Sequence, residues 1–377
     1  MIIILKPDID ASSRTCQAVV DLLAEKPNIR TQLHHVIGAQ QVLTEIFVVG
    51  DTSKLDAEEI SALEDVDKVV RVSRDYRLLG RHNEDSREAG FFYNGVEFTQ
   101  NSFTIFPGLC AVDTREHVEQ TMQALAARGL QCTRMGAYKP RTNPYSFQGY
   151  GESCLPWVFE LAGQYGIRVI AMEITHDSHI DEIAAALDKT GNPTGVMLQI
   201  GTRNTQNFEL LKAAGRHQEF PVLLKRGFGI TLEESLNAAE YLASEGNQRV
   251  IFCLRGMKSH LGLPHRNFVD FALVPTVQRL TLMPVCVDPS HSVGNRLQAP
   301  DGIPDLMHAA AQGVVAGANM VLVDFHPQPD TALVDGPQAF TFQELDWFVK
   351  DMHLARQAYL ARRELARQHY AAFEPPA

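Results

Sequence analysis

No stretch of this 377-residue chain approaches the roughly 20 consecutive apolar residues needed to cross a bilayer. Cysteine is sparse and unpaired in pattern. Cys16, Cys110, Cys132, Cys154, Cys253 and Cys286 are scattered, with none of the close spacings of a disulfide framework. Only the short run Ile2–Leu5 precedes Lys6, too little for the apolar core of a secretory signal. These absences lead us to expect reduced thiols and a cytoplasmic protein. Positive charge is also in deficit: 34 Lys and Arg against 45 Asp and Glu give a formal net charge of −11. A chain of that sign is poorly suited to general binding of nucleic acid or anionic membrane. Cations clustered against the overall sign therefore carry information.

Between Ser102 and Phe325 there are eight short apolar runs, most of them followed by segments of helical periodicity. The runs are FTIFPGLC, CTRMGAYKPRT, IRVIAMEI, GVMLQIGTR, FPVLLKRG, RVIFCLRG, MPVCVDPSH and MVLVDFH. Strand then helix, eight times over, predicts an α/β fold, a (β/α)8 TIM barrel. In that fold the carboxyl ends of the strands share one face, and the active site lies there. A barrel of about 250 residues leaves room for a smaller module in a chain of this length. Residues 1–75 supply it: IIILK, TQLHHVIGA, VLTEIFVVGD and DKVVRVS read as strands, SSRTCQAVVDLLAEK and DAEEISALEDV as helices. The order βαββαβ is that of a ferredoxin-like α+β domain, used either for regulation or as an oligomerisation cap. Residues 76–101 read as a linker with a short hairpin, 102–345 as the barrel, and 346–377 as a long final helix and a frayed tail.

The strand ends collect chemistry. Arg134, Lys139, Arg141, Arg203, Lys225 and Arg255 all fall at or just beyond them. Guanidinium forks bind phosphate and carboxylate through paired hydrogen bonds. Six cations in one pocket repel one another unless anions neutralise them, so a substrate pair with several negative charges is expected. Cys110, His291, Asp324 and Asp335 come from strands one, seven and eight and the loop after strand eight. One thiolate, one imidazole and two carboxylates suit a divalent ion such as Mn, Fe, Co or Zn. His326 competes as a ligand or as an outer partner of one. Each residue also has an ordinary reading, Cys110 as a small buried hydrophobe and a single Arg as a surface ion pair. The turns GTRNTQN and KRGFGIT precede helices and could cradle phosphate on backbone N–H groups, or serve simply as capped βα turns.

At these residues the chain resembles the 3-deoxy-D-arabino-heptulosonate 7-phosphate (DAHP) synthases, type I, of the subgroup with an N-terminal ferredoxin-like domain. The segments RMGAYKPRTNPYSFQG, LQIGTRNTQNFELL, PVLLKRGFGITLEE, VDPSHSVGNR and VLVDFHPQPDTALVDGPQ carry the resemblance in order, over nearly the whole chain. The resemblance implies a metal-dependent condensation of phosphoenolpyruvate with erythrose 4-phosphate, opening the shikimate route to aromatic amino acids. By the same resemblance, Arg134 and Lys139 hold the phosphoenolpyruvate carboxylate, and Arg203, Lys225 and Arg255 its phosphate. Arg141 and Thr142 hold the phosphate of the erythrose. Cys110, His291, Asp324 and Asp335 bind the metal, and Glu173 positions water or a proton. Catalytic roles fall to Lys139, Glu173 and His291. Crowding by Arg is expected to lower the pKa of Lys139. A homodimer or homotetramer is implied as well. Alternatives are the same chemistry on another phosphosugar or aldehyde, and a non-catalytic regulatory paralogue.

The chain departs from the family pattern in four places. GLCAVD stands where GPCS is usual, CLRG where CERG is, GTR where GAR is, and Asp324 where a Glu ligand is usual. The last shortens a ligand by one methylene and is expected to shift the metal or to interpose a water. The stretch 39–51 keeps strand character but lacks the usual basic and glycine positions of an aromatic-amino-acid effector site.

Overall fold

The computed structural model describes residues 1–7, 9–24, 26, 29–37, 42–50, 52, 55–70, 76–82 and 89–371. The end of the strand DKVVRVS, part of the stretch 39–51, part of the linker and the tail FEPPA lie outside them. The chain divides into two compact units, Met1–Ser86 and Arg87–Ala377.

The first unit contains β1 (Ile2–Leu5), α1 (Arg14–Ala24), β2 (Ile29–Ile37), β3 (Val42–Gly50), α2 (Ala57–Ser61) and β4 (Val66–Val70). Its sheet runs β2-β3-β1-β4, antiparallel throughout. Ile3 and Leu5 alternate inward from β1, and Cys16, Val19 and Leu23 form one face of α1. Together with Ile46 and Val48 they make a closed apolar core. This is the ferredoxin-like arrangement.

The second unit opens with a hairpin, β5 (Gly90–Tyr93) and β6 (Val96–Thr99). Asn94 and Gly95 both have positive φ, as a type I′ turn requires, so this Asn-Gly pair sets the hairpin. Phe91, Tyr93, Val96 and Phe98 pack on the inner layer of the barrel. The Tyr93 hydroxyl pairs with both the N–H and the carbonyl of Val196, each at 3.1 Å.

The barrel strands are β7 (Thr104–Gly108), β8 (Cys132–Arg134), β9 (Val169–Ile174), β10 (Gly195–Ile200), β11 (Val222–Lys225), β12 (Val250–Leu254), β13 (Val285–Val287) and β14 (Met320–Asp324). All pair in parallel in the order β7-β14-β13-β12-β11-β10-β9-β8. The bridge Leu109–Met135 joins the two ends of that order, making a nearly closed barrel. Gly108 permits the approach there, since a Cβ would strike the Arg134 carbonyl oxygen. Helices α3 (Arg115–Ala126), α4 (Leu155–Gln164), α5 (Ser178–Lys189), α6 (Phe208–Arg216), α7 (Leu232–Ser244), α8 (Val274–Leu280), α9 (Pro289–Val293) and α10 (Asp305–Val315) fall between the strands, and α11 (Leu345–Ala371) follows them. The strands are buried along almost their whole length, which is why they read as continuous apolar runs rather than alternating ones.

Candidate active site

A cavity of about 290 Å³ opens at the carboxyl end of the strands. Its wall includes Lys139, Arg141, Thr142, Glu173, Arg203, Lys225, Arg255, His291 and Asp335 from the predicted set. Arg134, Cys110 and Asp324 are not in that wall. They are buried, at 2%, 5% and 0% exposure, as are Arg255 and Lys225 of the wall. One cation of the wall was not anticipated: Arg266, from the long segment between β12 and α8.

The cations fall into two groups. Arg134 Nη1 lies 2.6 Å from Asp324 Oδ1, Lys139 Nζ 3.2 Å from Glu173 Oε2, and Lys225 Nζ 2.6 Å from Asp288 Oδ2. Arg266 pairs with Asp335 Oδ1 at 3.1 Å. By contrast, among the described residues Arg141, Arg203 and Arg255 form no ion pair. Arg203 donates to Thr142 Oγ1 at 3.2 Å. Arg255 and Arg203 both lie over the Phe228 ring, at 4.8 and 5.5 Å. Burial without a carboxylate in direct contact holds the Arg255 guanidinium below its usual pKa. That is a site preorganised for an external anion.

Lys139 differs from expectation. Burial alone would lower its pKa, but the sulfur of Cys110 and the carboxylate of Glu173 outweigh it, so the net direction is upward. Its ammonium donates to the Cys110 carbonyl at 2.9 Å and lies 3.4 Å from Cys110 Sγ. The crowding by Arg assumed from sequence is the smaller effect, because Arg134 is itself neutralised by Asp324.

Cys110, His291, Asp324 and Asp335 offer donor atoms within 4.8 Å of one another. Cys110 Sγ, His291 Nε2 and Asp335 Oδ2 form a compact triangle with sides of 3.8, 3.3 and 3.4 Å. Bonds of about 2.0–2.3 Å to one tetrahedral ion give donor–donor edges of roughly 3.3–3.6 Å, so the donor set fits a divalent metal. Asp288 caps α9, accepting from the His291 N–H at 3.0 Å, and the same carboxylate holds His291 Nδ1. It was overlooked in the DPSH segment, although an Asp opening a short helix is an N-cap signal. Burial disfavours the His291 imidazolium, but Asp288 and Asp324 outweigh burial and raise its pKa to about 10. Asp335 moves the other way: burial opposes ionisation, yet its hydrogen bond to His291, with Arg266 beyond, holds it well below the usual carboxylate range. The proton on His291 thus occupies the electrostatic place of a cation.

His326 is not part of this cluster. Its Nδ1 accepts from the Gln328 N–H at 3.0 Å, so Nε2 carries the proton and donates to Asp113 Oδ2 at 2.7 Å. His117 Nδ1 reaches the same oxygen at 2.8 Å. Both ring nitrogens of His326 are thus engaged within the protein. The group ties the end of β14 to the segment after β7.

The DAHP synthetase I family sequence model matches residues 94–358, and that of the DAHP synthase ferredoxin-like domain matches residues 1–74. The chain is 38% identical over 354 residues to a phospho-2-dehydro-3-deoxyheptonate aldolase of Thermotoga maritima, covering 93% of this chain and 96% of that one. It is 28% identical over 267 residues to a 2-dehydro-3-deoxyphosphooctonate aldolase of Nitratidesulfovibrio vulgaris, covering 66% of this chain and 90% of that one. The crystal structure of the Thermotoga maritima DAHP synthase superposes with a TM-score of 0.68 at 34% identity, over 95% of this chain and 97% of that one.

Proposed function

Because the chain belongs to the DAHP synthetase I family and carries that family's ferredoxin-like domain, we propose a reading of its site on that premise. The protein is an enzyme, a phospho-2-dehydro-3-deoxyheptonate aldolase in the sense of its Thermotoga relative. It condenses phosphoenolpyruvate with erythrose 4-phosphate, giving 3-deoxy-D-arabino-heptulosonate 7-phosphate and phosphate. The family is metal-dependent, and the cluster Cys110, His291, Asp324 and Asp335 is where a divalent ion would be held. A Mn, Fe, Co or Zn ion suits that mixture of sulfur, nitrogen and oxygen donors.

Arg203, Lys225 and Arg255 take the phosphoenolpyruvate phosphate. Lys139 faces its carboxylate, with Arg134 behind as the deeper cation. Arg141 and Thr142 take the erythrose phosphate. When bound, the metal supplies Lewis acidity toward the aldehyde oxygen. The methylene carbon of phosphoenolpyruvate then forms the new bond to the aldehyde carbon. Lys139, protonated at neutral pH, gives its proton to the oxygen that gains charge. Water adds at the second carbon of phosphoenolpyruvate, and phosphate leaves with its bridging oxygen by C–O cleavage. Glu173, 3.2 Å from Lys139 Nζ, takes the proton that this water loses.

The observation that carries this reading is the trio Arg141, Arg203 and Arg255, pocket-lining and without an ion-pair partner among the described residues, beside a donor set fit for a metal. The test is release of phosphate from phosphoenolpyruvate that requires erythrose 4-phosphate and stops with a chelator. Turnover with arabinose 5-phosphate in place of erythrose 4-phosphate favours the alternative sugar. No turnover with any aldehyde, with metal restored, favours a non-catalytic paralogue.

Six free thiols and freely diffusing phosphorylated substrates support a cytoplasmic setting. Leu354, Leu360 and Leu365, exposed along α11, support a homodimer or homotetramer, which light scattering would size. Among the described residues no helix is long and apolar enough to cross a membrane.

A further inference from the structure

We propose that three side chains, Cys110, His291 and Asp335, bind the divalent cation directly, and that Asp324 stays outside the coordination shell as the anion that fixes Arg134. The inference rests on the metal-site reading above and decides which of its four donors touch the ion.

The three inner donors already lie close together. The same three atoms, Sγ, Nε2 and Oδ2, make all three sides of the triangle. Each is steered from behind. Asp288 holds His291 by Nδ1 at 3.0 Å, which leaves Nε2 for the ion. Arg266 holds Asp335 by Oδ1 at 3.1 Å, which leaves Oδ2. Lys139 and Arg134 approach Cys110 Sγ at 3.4 and 3.7 Å. Outer partners of this kind are what orient metal ligands.

Asp324 is engaged elsewhere. Its Oδ2 accepts from Gln338 Nε2 at 2.6 Å. Its Oδ1 lies 2.6 Å from Arg134 Nη1, although off the line of a hydrogen bond, so both atoms are buried without one. Its Oδ2 lies 3.9 Å from His291 Nδ1, the nitrogen already held by Asp288. Arg134 bridges Asp324 and Cys110, contacting the first through Nη1 and the second through Nη2. A cation thus already mediates between the fourth carboxylate and the triangle. The main chain cannot slide to shorten the gap: the Asp324 N–H donates to Ser290 Oγ, and its carbonyl accepts from the Phe340 N–H, both at 2.9 Å. If Asp324 turned to the ion, buried Arg134 would lose its ion-pair partner, with Asp288 and Glu173 left as more distant charges, a costly change for a guanidinium.

Three protein donors leave a fourth tetrahedral position free, as catalytic metal sites require. Lys139 and Glu173 line the same cavity as His291 and Asp335. One carboxylate fewer also makes the ion more electron-poor, and shifts preference toward metals that accept sulfur and nitrogen.

The experiment uses the chelator-stripped full-length protein and cobalt(II) chloride, followed by visible absorption. Thiolate-to-cobalt charge transfer reports Cys110, and the ligand-field bands report the number of donors. Asp324→Asn is expected to leave both sets of bands in place, with cobalt affinity within about tenfold of the parent. Asp335→Asn and His291→Asn are expected to lose or move the bands and to weaken binding beyond the roughly 10–100-fold typical of an outer partner. Arg134→Gln combined with Asp324→Asn removes the buried pair together and gives the same reading if the single variant folds poorly. Loss or displacement of the ligand-field bands in Asp324→Asn, equal to that in Asp335→Asn, overturns the inference while the parent enzyme still binds cobalt and turns over. A parent protein that condenses its substrates yet gives no thiolate–cobalt band overturns it as well. Absence of condensation strikes instead at the reading of the function.

Discussion

Replacing Lys139 by Met tests the centre of the reaction. The side chains match in length, so packing changes little, but one ammonium and its contacts disappear. Those contacts are the Cys110 carbonyl at 2.9 Å, Glu173 Oε2 at 3.2 Å and Cys110 Sγ at 3.4 Å. Loss of a positioned proton donor lowers turnover by about 10²–10⁴-fold, about 3–5 kcal/mol of barrier. Stability falls too, because Glu173 keeps a buried charge with its partner gone; breaking such a pair costs about 3–5 kcal/mol. Glu173→Gln added to Lys139→Met removes that orphan charge, so the double variant is expected to regain most of the lost melting temperature and none of the activity. The Lys139 pKa is raised in the folded state. Its stabilisation is therefore fully present below the ordinary lysine value of about 10.4 and is lost only as pH rises through the higher folded value. Measurements between pH 7 and 9 should give the same difference. Coupled phosphate release reads the activity, and thermal unfolding of metal-free protein reads the rest. Lys139→Met turnover within tenfold of the parent, or a double variant no more stable than the single, would falsify the reasoning.

His291 gives a pH prediction of the opposite practical kind. Its folded pKa of about 10 lies above the ordinary histidine value, so its stabilisation is complete below about pH 6.5 and disappears as pH climbs through 10. Chelator-treated protein should melt progressively lower across that window, and His291→Asn should flatten the trend. Metal added at pH 8 should displace that proton, which calorimetry in buffers of different ionisation enthalpy would detect. Gly201→Ala places a methyl group against the Glu173 carboxylate. It should cut turnover at least about tenfold by disturbing the Lys139–Glu173 pair, with far-ultraviolet dichroism unchanged; full activity would count against Glu173. Arg141→Ala should raise KM for erythrose 4-phosphate with little change for phosphoenolpyruvate, whereas Arg255→Ala should do the reverse, by about 2–3 kcal/mol each as for charge-assisted hydrogen bonds. Steady-state kinetics that failed to separate the two substrates in this way would refute the partition of the cations.

The barrel was legible because its strands, buried on both faces, appear as apolar runs with a polar residue wherever each run reaches the rim. The hairpin ahead of it was legible in Asn94–Gly95, since few other pairs accept two positive φ angles. Depth was not legible. Arg134 ends β8, inside the barrel wall, while Arg141 lies seven positions on in the following loop, yet both read simply as strand-end cations. Nor was pairing. Asp288 sits within a quoted segment, but its link to Lys225 spans 63 residues and leaves no local pattern. Arg266 lies in an irregular segment where no period fixes which side chains face inward. Gln338 is of the same kind, its contact with Asp324 depending on the path of the segment after β14.

The division of the cations changes how the pocket must be understood. Read as a line of residues, six positive charges seem to need substrate anions to coexist at all. In the folded protein Arg134, Lys139 and Lys225 are already neutralised by Asp324, Glu173 and Asp288. Those carboxylates also touch or hold the metal donors: Asp288 orients His291, and Glu173 shares Lys139 with Cys110. The paired cations therefore belong electrostatically to the end of the cavity that carries the candidate metal donors. Among the described residues Arg141, Arg203 and Arg255 are the predicted cations without an internal ion pair, two of them resting on Phe228. An aromatic face attracts a guanidinium without consuming its N–H donors. On the proposed reading, unpaired guanidinium groups meet phosphate at one end while the charges at the other stay balanced, with Lys225 serving both as the partner of Asp288 and as a phosphate contact.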